Sequence, residues 1–172
     1  MDSPLDPLLY VTSVEEIVWG IALVALTLSI HGLGMIATLR FDNAYKARFG
    51  RRESLFFGMG NLVLASWLLI SVHLFEVMMW SVFFRWKKCF PNMSTANYFA
   101  LNEYTTVGSS LRLPLNWRLL EGMISIAGVL AFAWSTGVLL TVAREFQAQQ
   151  LSRFGSWHNG HKTPPADGPK PS

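Results

Sequence analysis

The segment ALNEYTTVGSSLRLP, residues 100–114, is a polar island between two long apolar runs. It holds two adjacent threonines, a glycine, two serines, a carboxylate and an arginine. Its reading decides the fold, because irregular backbone cannot face lipid. At membrane depth such backbone is tolerated only where protein buries it or water lines it.

The flanking runs point to a membrane. Residues 17–39 carry no charge, only His31, and at 1.5 Å per residue cover roughly 34 Å, enough to cross a bilayer core. Residues 55–84 form a longer run that contains Asn61, His73 and Glu76, and residues 123–143 form a third without any charge. Composition agrees: 51% of residues are apolar, 15% are charged, and the mean hydropathy is +0.31, values of a membrane protein. The formal charge of +3 is small, and the basic residues cluster beside the apolar runs. They read as topology signals and not as a nucleic-acid surface.

The remaining signals narrow the chemistry. Cys89 is the one cysteine, so neither an intrachain disulfide nor a CxxC site can form. The N-terminus, MDSPLDPLLY, has no basic residue, and no signal peptide is expected. There is no nucleophile–base pair, no Walker loop and no metal motif; His158 and His161 lack partners at ligand spacing. Neither an enzyme nor a bound cofactor or small-molecule substrate is expected.

Residues 40–54, RFDNAYKARFGRRES, hold five basic and two acidic residues. The positive-inside rule then gives an external N-terminal segment (1–16), a first span (17–39), a cytoplasmic basic loop (40–54), a membrane domain (55–143) and a cytoplasmic tail (144–172). Arg85, Lys87, Lys88, Arg112 and Arg118 would face outward, against the rule, but the first-span asymmetry usually dominates. The tail is rich in Pro, Gly and polar residues and is expected to be disordered from about Gly155.

The island now lies between the second and third spans. STANYFALNEY, residues 94–104, has a helix signature: Ser94 or Thr95 can cap, and Tyr98, Leu101 and Tyr104 fall on related faces. It is too short to cross, and suits a re-entrant helix that dips in and stops. TTVGSS, residues 105–110, then reads as extended. The fold class is an all-α membrane protein with three transmembrane helices, and a re-entrant pore helix and filter loop between the second and third.

These residues resemble the potassium-channel superfamily. YFALNEYTTVG is similar to a pore helix and the start of a filter that reads TVGYG. Pro114 stands where a proline commonly follows the filter. NWRLLEGMISIAGVLAFAWSTGVLL, residues 116–140, is similar to the inner helix of small prokaryotic two-helix ion-channel domains. The resemblance covers about half the chain, residues 62–142. It implies a homotetramer in a bacterial inner membrane, with K⁺ or another monovalent cation as permeant ion. The ion ligands would be Thr105, Thr106, Val107, Gly108, Ser109 and Ser110, and the first span would lie at the periphery, against lipid.

The departures matter as much. Where the family has Tyr-Gly-Asp, this chain has Ser109, Ser110 and Leu111. Filter carbonyls in the family face the ion because backbone dihedrals alternate in hand. Gly108 keeps one left-handed position, whereas Ser110 would place a Cβ in another, at a cost on the order of 1–2 kcal/mol. Asn102 stands where the family often has an acid behind the filter, with Glu103 beside it. The implied function is the pore-forming subunit of a cation channel with weakened K⁺ selectivity. The alternative is a non-conducting accessory or regulatory protein on a decayed channel fold.

Other residues carry two readings each. Glu76 is either a structural or interfacial group, within pairing reach of His73 one turn earlier, or a proton-sensing or gating residue. Gly128 is either a gating bend in the inner helix or a close-packing glycine. His31 reads as a hydrogen-bonded packing residue, and Gly32, Gly34, Gly58 and Gly60 as helix contacts. The basic clusters are topology anchors or an anionic-lipid site.

Overall fold

The computed structural model describes residues 10–49 and 55–160, and these are helical apart from turns and loops. Three helices are long and apolar enough to cross a membrane: α1 (Val14–Phe49), α2 (Leu55–Trp86) and α4 (Leu119–Gly160). A twelve-residue helix, α3 (Met93–Tyr104), and a 3-10 turn, Leu115–Trp117, lie between α2 and α4.

Local chemistry sets the helix ends. Ser13 caps α1, its Oγ accepting from Glu16 N at 3.1 Å, and Glu15 and Glu16 complement the positive end of the helix dipole. Glu16 also reaches across the bundle: its carboxylate accepts from Leu119 N at the start of α4 and from the Tyr10 hydroxyl. Glu15 pairs with Lys87, just past the end of α2, at 2.9 Å. The starts of α1 and α4 and the end of α2 therefore share one side of the bundle. On the other side Lys46 binds both Asp42 and Glu145, and the Asn61 amide donates to Asp42.

Those contacts explain a difference from the sequence reading. Much of the expected loop at 40–54 is the last part of α1, running to Phe49. The Asp42–Lys46 pair at i,i+4 supports helix there, and Asn61 and Glu145 hold it to α2 and α4. Residues 50–54 lie outside the described residues. The tail expected to be disordered from about Gly155 is helical through Gly160; residues 161–172 lie outside the description.

α2 ends in a Schellman turn. Cys89 N donates to Phe84 O and Lys88 N to Arg85 O, with Lys88 left-handed at φ 58°. The chain then reverses into α3. Its cap is Asn92, which accepts from Thr95 N at 2.8 Å, and not Ser94 or Thr95. Asn92 is extended, at φ −144°, as a capping residue must be. The buried stripe of α3 is Ala96, Phe99, Ala100, Glu103 and Tyr104, at helical spacing. Tyr98 and Leu101, read as related to the Tyr104 face, are exposed.

That stripe packs on α2 and α4 through aromatic edges. Phe84 meets Phe99 edge-on at 5.5 Å and Phe90 at 6.4 Å. Lys87 sits 4.7–4.9 Å from the ring centroids of Trp19, Trp86 and Trp117, a cation–π arrangement that fastens the helix ends together. Deeper in the bundle, Trp80 Nε1 donates to Thr27 Oγ1 at 2.9 Å, joining α1 to α2.

Candidate functional site

α3 folds back along α2, so that its last residue, Tyr104, contacts His73 and Glu76. His73 is thirteen positions before Trp86, about 20 Å along α2 at 1.5 Å per residue. The candidate loop therefore starts deep beside α2.

The loop opens as a helix cap. Thr106 N donates to Glu103 O at 3.0 Å and Val107 N to Asn102 O at 3.0 Å, the bond pattern of a Schellman motif. The position that closes this motif is left-handed and usually glycine. Here it is Thr106, at φ 61°, at a cost of about 1–2 kcal/mol for the Cβ. Gly108 is left-handed too, at φ 79°, so the hand recurs at alternate residues. Ser110 does not have a positive φ; among the described non-glycine residues Lys88 and Thr106 do. The backbone strain expected at Ser110 thus lies four residues earlier, because the cap itself demands it.

Side chains fix the rest of the loop. Thr105 Oγ1 turns back to donate to Leu101 O at 2.8 Å. Asn102 Nδ2 donates to Tyr98 O at 2.7 Å, so Asn102 meets the loop through its carbonyl and not its side chain. Glu103 is the carboxylate behind the loop: it is buried, and its Oε1 accepts from Ser109 N at 2.9 Å. Ser109 Oγ accepts from Leu111 N at 3.1 Å. Glu121, on α4, then takes Leu113 N at 2.7 Å and Arg112 Nη1 at 3.0 Å. Thr106, Val107, Gly108 and Ser110 are exposed, and Thr105 and Ser109 partly so.

α4 holds the end of α3 from the other side. Ser125 Oγ donates to Glu103 O at 2.9 Å. Gly128 lies where a Cβ would come 2.0 Å from the Tyr104 carbonyl oxygen. Close approach of α4 to the backbone of α3 accounts for that glycine.

Beneath the loop lies a closed ring of five buried polar side chains. Glu76 Oε1 contacts His31 Nδ1 at 3.1 Å. His31 Nε2 contacts Ser135 Oγ at 3.2 Å, and Ser135 Oγ contacts His73 Nε2 at 2.9 Å. His73 Nδ1 contacts the Tyr104 hydroxyl at 2.9 Å, which bonds Glu76 Oε2 and closes the circuit. All five residues are at most 9% exposed, and Phe132 stacks on His73 at 4.4 Å. Glu76 and His73 do meet, Oε2 to Nδ1, but at 3.8 Å; His31 is the nearer imidazole.

One ligand atom each from His31, His73 and Glu76 lies within 4.8 Å of the others, close enough for metal donors. Every ring nitrogen is already engaged by a protein oxygen, however. Hydrogen bonding accounts for the contacts within the cluster.

Sequence reasoning singled out Glu76, Asn102, Glu103 and residues 105–110. It missed Tyr104 and Ser135 as ring members, and Glu16 and Glu121 as carboxylates that receive backbone amides. An available signal was the rarity of carboxylates near apolar runs. The Tyr104 partner of Glu76 and the Leu119 partner of Glu16 lie 28 and 103 positions away in the chain, beyond any local spacing rule, whereas Leu113 lies only 8 positions from Glu121.

The class so defined is, among the described residues, an all-helical fold with three helices fit to span a membrane. No protein-family model, curated protein or solved structure matches it.

Proposed function

We propose that this chain is the pore-forming subunit of a homotetrameric, potassium-channel-like cation channel of the bacterial inner membrane. In this reading α3 is the re-entrant pore helix and residues 105–110 are the filter. The observation that carries it is the left-handed backbone at alternate residues, Thr106 and Gly108, at the end of a short helix. Alternation of hand turns successive carbonyls toward one side, as ion coordination by backbone requires. The negative end of the α3 dipole faces the same loop, and Glu103 adds a carboxylate behind it. Passive cation movement follows from such a lining.

Selectivity for K⁺ is weakened in this reading. Ser109 brings no aromatic ring to pack the loop, Leu111 no outer carboxylate, and Ser110 no second glycine. One loop cannot enclose an axis, so symmetry must complete the pore, with exposed Tyr98, Leu101 and Val107 facing neighbouring copies. The N-terminus and the loop face outward and the C-terminus the cytoplasm, with α1 at the rim.

The test is ion flux from the purified chain in liposomes, K⁺ against Na⁺, with mass measured in lipid-preserving conditions. A tetramer that passes both ions, and loses flux in Gly108→Ala, is the expected result. A tetramer that passes neither ion would favour the non-conducting accessory reading. Monomers or dimers alone would sink the four-chain pore.

A further inference from the structure

The ring of His31, His73, Glu76, Tyr104 and Ser135 can be counted in protons. Its five contacts form a closed circuit, and each hydrogen bond needs one proton between its two heavy atoms. Two neutral imidazoles supply one N–H each. Ser135 and Tyr104 supply one O–H each. An ionised Glu76 supplies none. That makes four protons for five contacts. Wherever the protons are placed, and whichever tautomer each imidazole takes, the circuit closes only with one more. That proton resides on Glu76 or on an imidazole, and either placement leaves the ring with no net charge.

Neutrality is what the surroundings favour, since a net charge in an apolar interior is costly. The groups that face the ring are known from every helix around it. α1 contributes His31, α2 His73 and Glu76, α3 Tyr104 and α4 the un-ionisable Ser135. Phe132 and Trp134 flank the imidazoles. The nearby carboxylate Glu103 is turned to Ser109 N. Among the described residues, Asp42 and Glu16 are committed to Lys46 and to Leu119 N at opposite ends of the bundle.

We propose that this ring is a buried binding site for a single exchangeable proton, and that the bound proton holds Tyr104, and with it the start of the 105–110 loop, against α2 and α4. Losing the proton opens one contact of the five and leaves a buried negative charge. The bound state is therefore the tighter one, and its stability is present at lower pH and lost as pH rises far enough to remove the proton. Ion conduction is not needed for this inference, so its failure and that of the channel reading are separable.

The test is full-length protein in lipid nanodiscs, with thermal midpoints measured from pH 6 to 10 for wild type, Glu76→Gln and Glu76→Ala. Glutamine supplies one acceptor and its own N–H, so Glu76→Gln closes the circuit with both imidazoles neutral and no added proton. Expected is a wild-type midpoint that falls by several degrees relative to Glu76→Gln as pH rises. Glu76→Ala should lie below both at low pH. At the alkaline end, exchange of the Val107 and Gly108 amides should be several-fold faster in wild type than in Glu76→Gln at the same pH. Parallel pH curves for wild type and Glu76→Gln, or Glu76→Gln as unstable as Glu76→Ala, would overturn the proton site. Equal amide exchange would overturn its hold on the loop.

Discussion

The carbonyl oxygen of Tyr104 occupies the space in which a side chain on Gly128 would begin, 2.0 Å from where its Cβ would stand. Backbone cannot move aside as a flexible side chain can, so α3 or α4 would have to shift as a whole.

Gly128→Ala should accordingly destabilise the protein by about 1–3 kcal/mol, the usual cost of overpacking. Gly137, on the same helix, has nothing within 4 Å of its missing Cβ, and Gly137→Ala should stabilise by up to about 1 kcal/mol through helix propensity. Thermal or denaturant unfolding of both variants decides the matter. Equal behaviour would mean that the close approach at Gly128 is not made in solution.

At Thr106 the cost lies in backbone hand. Thr106→Gly keeps the Schellman bonds and removes the Cβ from a left-handed position, a gain of about 1 kcal/mol after the glycine's greater freedom in the unfolded chain is set against it. Unfolding midpoints would show it. A variant less stable than wild type would argue against a left-handed Thr106.

Glu103, and not Asn102, should govern the loop. Glu103→Ala leaves Ser109 N without its acceptor, at a cost of roughly 1.5–3 kcal/mol for a charge-assisted bond. Asn102→Ala forfeits only a bond within its own helix turn and should cost less than about 1 kcal/mol. Amide exchange at Ser109 is the local readout, and it should rise in the first variant alone.

Cys89 gives a pH prediction. Burial pushes its thiol up to about 11, against the smaller opposing effects of its backbone hydrogen bond and the Lys87 charge. The thiolate is the nucleophile, so maleimide labelling of the native chain should be slow at pH 7–8. It should speed up about tenfold for each pH unit until near the pKa. Labelling as rapid as that of the unfolded chain at pH 7.5 would mean an exposed thiol.

The three long helices were legible in the sequence because apolar runs of spanning length leave few alternatives. α3 was legible as a short helix over residues 94–104, but its buried face was not, since Tyr98 and Leu101 are exposed. Its cap was misplaced because Asn92, Ser94 and Thr95 are all competent capping types, and the turn after Lys88 decides among them. The extent of α1 past residue 39 was read as loop: the Asp42–Lys46 spacing was one local helix signal, but the ties of Asp42 to Asn61 and of Lys46 to Glu145 appear only on folding. The ring was half visible. Glu76 stood out as an acid in an apolar run, but a tyrosine at the end of a short helix and a serine in the last span look ordinary until folding brings them to it.

Glu16 binds the first amide of α4 across 103 positions of chain. That carboxylate is at the start of the first helix; Tyr10 donates to one of its oxygens, and the other receives its amide only when the last helix arrives. During synthesis, then, α1 and α2 precede the donor that completes the contacts of this carboxylate. Completion of the bundle is thereby tied to delivery of its final segment.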